Sequence, residues 1–333
     1  MITSSKWKSY VKLARPKYLV YSGLIYHFGI TYVILKCDQE INLKLYFLGL
    51  VVSWCTHLMA HFINEFYDLN ADRNNELYTK WTGGSRVLVN GELKPKIAIN
   101  SGISCLLIGL IIVMLMPNYI SKLIISTGLF IAWFYTAPPI KLNYRSFGEI
   151  GVAIVLTFIV PFTVLAIQTG NIPKQLFIML LPAFLIQMAR MMIMNLSDYE
   201  GDKKVSKVTI PVRIGRKRTI YLYLILNIFA YFILLPLYFI FNISPILFFS
   251  VLLTFPIAIW QYFRIKNIAS HDQNTSNNIV FWASSHSALV MMAIYIGVIL
   301  EHWAYNEFNL QLFYLAIPPL LFTFSLFLQI RNN

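Results

Sequence analysis

Along this chain, apolar and polar positions separate into whole segments rather than alternating residue by residue. Ten mostly apolar runs lie at roughly 17–36, 43–66, 97–116, 119–136, 147–168, 174–197, 219–241, 243–264, 279–300 and 308–330, with short polar stretches between them. A helix of about 20 such residues crosses the ~30 Å hydrocarbon layer of a bilayer. The runs are continuous, and in lipid each segment must satisfy its own backbone hydrogen bonds, so they predict transmembrane helices rather than a barrel. Pro318 and Pro319 are expected to interrupt the tenth run. The expected fold class is all-α: a polytopic membrane bundle of nine to ten transmembrane helices, with residues 1–333 forming a single integral membrane domain.

Composition places the chain outside the soluble globular range, with 58% hydrophobic and only 12% charged residues. A net charge of +13 would suggest nucleic acid in a soluble protein, but here the cations sit between spans and form no common patch. No nucleic-acid partner is expected, and the lipid bilayer is the partner that the composition implies. Cys37, Cys55 and Cys105 lie in or beside apolar runs without metal-site spacing and read as small core residues. The first run follows basic residues but is long and lacks a small-residue cleavage site, so it reads as a retained span.

Lys and Arg set the orientation, because cytoplasmic segments carry their excess. The N-terminus and the loops after runs 2, 4, 6 and 8 hold 21 of the 27 basic residues, against Lys36, Lys44, Lys122 and Lys174 on the other side. The N-terminus and every loop after an even-numbered run are therefore expected on the cytoplasmic side.

Two of those loops begin with acid clusters, HFINEFYDLNAD over 61–72 and NLSDYEGD over 195–202, which together with Glu76 hold half of the chain's 14 acids. If each stretch continues as helix, its spacing puts Asn64, Asp68 and Asp72 on one face, and Asn195, Asp198 and Asp202 on another. Like charges at that spacing cost a helix roughly 0.2–0.5 kcal/mol per pair, which a bound cation would offset. Magnesium takes few protein carboxylates and completes its shell with phosphate oxygens, so two facing acid ends suit a magnesium diphosphate held by Asp68, Asp72, Asp198 and Asp202. Asn64 and Asn195 would assist.

Arg86, beside the glycines of WTGGSRVL, and Lys141 and Arg145, just after run 4, are candidate diphosphate contacts. The positive-inside excess alone also accounts for loop cations. Arg190 differs, since it lies inside run 6, where an ionisable group is costly and marks either a substrate contact or an interhelical ion pair. The chain has 25 Phe, 20 Tyr and 7 Trp, and aromatic faces stabilise a carbocation, with Tyr135 and Tyr144 as candidates. His57 and His61 resemble part of a histidine-box metal site, but only six histidines are present, His27, His271, His286 and His302 being the others, and no second close pair exists.

These residues resemble the UbiA superfamily of intramembrane prenyltransferases. Its NxxxDxxxD motif stands here as Asn64, Asp68 and Asp72, and its DxxxD motif as Asp198 and Asp202. GGSRVLVNGEL, YTAPPIKLNYRSFGEIG and DYEGDKKVSKVTIPVRIG look like the family's loops after the first motif, before span 5 and after the second motif. The resemblance spans about 10–300 and implies nine helices around a central cavity, Mg2+, an isoprenyl diphosphate and an aromatic acceptor. The loop before span 5 and Asn195 are closer to the naphthoate (menaquinone) branch, with 1,4-dihydroxy-2-naphthoate as acceptor, than to the hydroxybenzoate branch. Three features depart from the pattern: Glu65 after the first Asn, the longer Tyr135-to-Lys141 spacing and the tenth run. The expected function is prenyl transfer to an aromatic quinone precursor with release of diphosphate. The alternatives are a terpene cyclase with the same metal residues and no acceptor or, more remotely, an ion or lipid transporter.

Overall fold

The structure, a computed structural model, describes residues 4–76, 78–266, 273–305 and 310–331. It is all-helical, and its apolar helices fall on the ten predicted runs: α1 Pro16–Cys37, α2 Leu43–Tyr67, α3 Pro95–Leu115, α4 Tyr119–Phe134, α5 Gly148–Thr169, α6 Leu181–Ser197, α7 Arg216–Phe239, α8 Pro245–Ile265, α9 Thr275–Tyr305 and α10 Leu310–Arg331. Seven of these, α1 to α3, α5 and α7 to α9, are long and apolar enough to cross a membrane, while α4, α6 and the Tyr314–Gln329 part of α10 are shorter apolar helices. A short helix, Ser4–Ala14, leads into α1. His271 lies outside the described residues.

Proline accounts for most irregularities within the spans, because it removes an N–H and its ring clashes with the carbonyl four residues back. A π turn at Val155–Ile159 precedes Pro161, the short Lys174–Met179 helix stops before Pro182, and α7 breaks at Ile233 ahead of Pro236. Contrary to expectation, α10 runs unbroken through Pro318 and Pro319. Pro319 cannot donate to the Leu315 carbonyl, and the Tyr295 hydroxyl of α9 does so instead at 3.3 Å. A neighbouring helix thus supplies the hydrogen bond that the imino acid lacks.

Two apolar clusters form most of the interior, and a third, smaller one around Tyr223 and Ile279 joins α6, α7, α8 and α9. The first draws on α1, α5, α6, α7, α8 and α9 around Phe28, Leu165, Leu180 and Val298. The second joins α2, α3 and α4 around Met59, Ile63, Cys105 and Leu129. Leu107, Ile111 and Met114 on α3 are exposed, as side chains facing lipid would be. Between the clusters, α1, α2, α4, α5 and α6 leave a cavity of about 210 Å³.

Candidate active site

The ends of α2 and α6 are built alike. Asp68 closes α2 at φ −87°, ψ 2° and Asp198 closes α6 at φ −93°, ψ 3°, both in the sparsely populated bridge region. A short helix restarts after each, Leu69–Asn74 and Tyr199–Lys204. The single helical faces expected for the two motifs are therefore bent at the middle aspartate. Aspartate is a poor helix-interior residue whose short side chain competes for local backbone groups. The two short helices approach at Gly201, where a Cβ would stand 2.9 Å from the Asn75 Cβ and 3.2 Å from the Ala71 carbonyl oxygen.

One ammonium joins the two ends. Lys207 Nζ lies 2.7 Å from Asp68 Oδ2 and 3.2 Å from Asp202 Oδ1. Asp68 also accepts from Asn64 Nδ2 at 2.6 Å and from the Tyr144 hydroxyl at 2.9 Å. Asp198 accepts from Asn75 Nδ2 at 2.7 Å. Gly84, at φ +77°, lies directly against the Asp72 carboxylate, which leaves no room there for a Cβ.

Three buried aspartates, Asp68, Asp72 and Asp202, and the partly exposed Asp198 set the electrostatics around Lys207. Burial raises Asp72 and Asp198 above the ordinary carboxylate range and pushes Asp202 up to about 7. Neighbouring acids add to the effect at Asp72 and Asp202. At Lys207 burial acts the other way, but Asp68 and Asp202 outweigh it and hold the ammonium well above the usual lysine range. A single cation stabilised by two carboxylates cannot offset the desolvation of all four.

Asp202 Oδ2 is buried without a hydrogen-bond partner, and the carboxylate charge exceeds the cationic charge. This hard, all-oxygen donor set fits a divalent cation such as magnesium. Among the described residues no three His, Cys, Asp or Glu side chains already converge on one point; the ammonium of Lys207 stands between Asp68 and Asp202.

Below this mouth the cavity is largely apolar, walled by Val52, Ile125, Ile131, Val155 and Ile159, with Tyr18, Tyr21, Trp81 and Tyr135 adding aromatic faces. Arg15, Lys207 and Arg190 are its cations. Gly83 and Gly84 of the loop after α2 also border it. That loop is fastened by Glu65, which accepts from Arg15, from the Ser85 backbone N–H at 2.5 Å and from the Ser85 hydroxyl at 2.9 Å.

The structure brings together Asn64, Asp68, Asp72, Asp198, Tyr135 and Arg190 on the cavity lining, with Asp202 tied to it through Lys207. Asn195 also borders the cavity, but its amide donates to Glu149 Oε1 at 2.9 Å. Arg86, Lys141 and Arg145 are not on the lining. Arg86 donates to the Asp72 backbone carbonyl, Lys141 stands 4.9 Å from the Tyr144 ring centre, and Arg145 donates to the Pro139 carbonyl at 3.2 Å. His57 and His61 line the cavity and bond Ser22 Oγ and the Ala14 carbonyl rather than facing further metal ligands.

Sequence reading missed Lys207, Arg15 and Glu149. Lys207 and Arg15 were absorbed into the cytoplasmic charge excess, although Lys207 sits only five residues after Asp202. Glu149 accepts from both Asn195 and the Ile210 backbone N–H, and thereby joins α5 to the second motif.

An all-helical membrane bundle with paired acid-tipped helices over an apolar cavity defines the class: intramembrane helical proteins with an acidic mouth above a greasy pocket. Residues 26–286 match the UbiA prenyltransferase family, and the chain belongs to that family. It is 32% identical over 196 residues to the digeranylgeranylglyceryl phosphate synthase of Methanosphaera stadtmanae, covering 57% of this chain and 65% of that one, just under two thirds of its length. It is 26% identical to the 1,4-dihydroxy-2-naphthoate octaprenyltransferase of Bacillus subtilis over 185 residues, 55% of this chain and 57% of the relative. In fold it is similar to a UbiA homologue from Archaeoglobus fulgidus solved with DMAPP and Mg2+, with a TM-score of 0.63 and 21% identity over 87% of this chain and 99% of that one.

Proposed function

We propose that this protein is a magnesium-dependent intramembrane prenyltransferase that moves an isoprenyl group from its diphosphate to a second substrate. One observation carries the reading: two acid ends, 130 residues apart in sequence at Asp68 and Asp198, meet over one apolar cavity through Lys207. Asp68, Asp72, Asp198 and Asp202, supported by Asn64, would hold Mg2+, which when bound neutralises charge on the departing diphosphate. Asn195 acts through Glu149 to position the second motif.

Lys207 and Arg15 donate to diphosphate oxygens at the cavity mouth. The C1–O bond breaks with its electron pair leaving on the diphosphate, and C1 becomes an allylic cation. Tyr135 and the other aromatic faces stabilise it. The loop fastened through Glu65 and Ser85 keeps water away. The nucleophile of the second substrate then bonds to C1, and its proton passes to the released diphosphate. Arg86 steadies the loop through the Asp72 carbonyl, while Lys141 and Arg145 lie off the lining.

Two acceptors come from the relatives. The naphthoate of the Bacillus subtilis enzyme fits the aromatic acceptor expected from the loop before α5. A glyceryl phosphate already carrying one isoprenyl chain fits the more similar Methanosphaera stadtmanae relative, and we favour it on that ground. The cation distribution supports a cytoplasmic N-terminus and cytoplasmic acid ends.

The test is product mass spectrometry on purified protein with Mg2+ and geranyl, farnesyl or geranylgeranyl diphosphate, with and without phenols, naphthoates and glyceryl phosphates. Diphosphate release should require an acceptor, and Asp68→Ala or Asp198→Ala should abolish it. A hydrocarbon or terpene alcohol formed without acceptor would make the protein a cyclase, and full activity in either variant would overturn the site.

A further inference from the structure

Arg190 lies on α6 eight residues before Asp198, about 12 Å deeper along the helix axis. It lines the cavity and is 9% exposed. A guanidinium in that position normally has an acid partner. Among the described residues no carboxylate stands within ion-pair distance of it. Its Nε donates to Ser284 Oγ at 3.1 Å, and Nη1 meets only the Met191 sulfur at 3.9 Å. One turn before it, Gln187 accepts from Ser287 at 2.6 Å while its buried Nε2 has no partner. The depth of the cavity thus holds a fixed positive charge with unused donor capacity.

We infer that Arg190 is the anchor for an anionic group, carboxylate or phosphate, on the acceptor. The inference rests on the prenyltransferase reading and adds the chemical class of the second substrate. Lys207 and Arg15 sit at the mouth among the acids, where the diphosphate and its metal would bind, whereas Arg190 lies about 12 Å further along α6 with no such partner among the described residues. A planar guanidinium pairs two oxygens of a carboxylate or phosphate at once.

The charge also bears on the reaction. An uncompensated guanidinium sharing a low-dielectric cavity with an allylic cation repels it. An acceptor that brings its own anion cancels that repulsion as it binds. Ionisation is thereby favoured once the acceptor is seated, before water can capture the cation.

Equilibrium binding to the purified full chain tests this independently of turnover. One arm compares 1,4-dihydroxy-2-naphthoate with its methyl ester, and the other compares geranylgeranylglyceryl phosphate with the phosphate-free geranylgeranylglycerol. In at least one arm the anion should bind 30-fold or more tightly than its neutral counterpart. Arg190→Gln should reduce that preference to below threefold, Arg190→Lys should restore part of it, and affinity for geranylgeranyl diphosphate should move less than twofold. The arm that responds identifies which anion the site takes. Equal binding of anion and neutral counterpart in both arms of the unmodified protein overturns the inference even if Arg190→Gln does not fold. A loss confined to geranylgeranyl diphosphate does so too. Failure of the prenyltransferase reading shows separately, as absence of diphosphate release with every acceptor.

Discussion

At the scale of single residues, the site is governed by the shortage of cations around its carboxylates. Asp202 shows the consequence. Its folded-state value, pushed up to about 7 by burial, lies above the ordinary value near 4, so the folded chain holds this proton more tightly than the unfolded one. In metal-free buffer its contribution to stability is fully present below about pH 4 and is lost as pH rises to about 7, by at most roughly 4 kcal/mol at about 1.4 kcal/mol per pH unit. Thermal unfolding in chelator from pH 4 to pH 8 should therefore show a falling Tm, and Asp202→Asn should make the fall shallower. An unchanged slope in that variant would remove the assignment. The sequence already displayed the four aspartates. It did not reveal which lysine among many serves them, because a loop cation that marks topology and one that bridges two carboxylates are the same letter.

At the scale of elements, both motifs use one device, a span that ends on aspartate and restarts as a short helix. The pairing of these short helices depends on Gly201. Gly201→Val would drive side-chain carbons into Asn75 and the Ala71 carbonyl and push the acid ends apart. A misplacement near 1 Å costs on the order of 100-fold in rate, so diphosphate release should fall by at least that factor while the variant keeps its helical circular dichroism. Activity within threefold of the parent would show that the ends need not touch. The ten apolar runs were legible to within a few residues because about 20 consecutive apolar residues have few alternatives in a membrane protein. The bend at each middle aspartate was not, since i, i+4 spacing reads identically in a straight helix and a broken one. Nor was the continuity of α10 through Pro318 and Pro319, which depends on a hydroxyl from another helix.

At the scale of the whole molecule, the placement of the cations predicts the orientation. In a cysteine-free background, Asn90→Cys on the loop after α2 should react with an impermeant thiol reagent only after cells are permeabilised. Tyr119→Cys at the start of α4, where the side chain is 75% exposed, should react in intact cells. The reverse pattern would place the acid ends outside. In the same arrangement α1, α2, α4, α5 and α6 enclose a greasy cavity under a charged mouth.

Hydropathy, cation placement and two spaced acid motifs, all local properties of the chain, were enough to determine a helical membrane bundle of the UbiA family and to single out the four aspartates as candidates. Tertiary structure decided which groups face one another. It brought Lys207 between Asp68 and Asp202, placed Arg190 on the cavity wall with no acid partner among the described residues, turned Asn195 toward Glu149, and left Arg86, Lys141 and Arg145 off the lining. Those outcomes depend on how separate helices pack and bend, and contacts between residues a hundred positions apart leave no periodic trace in the chain.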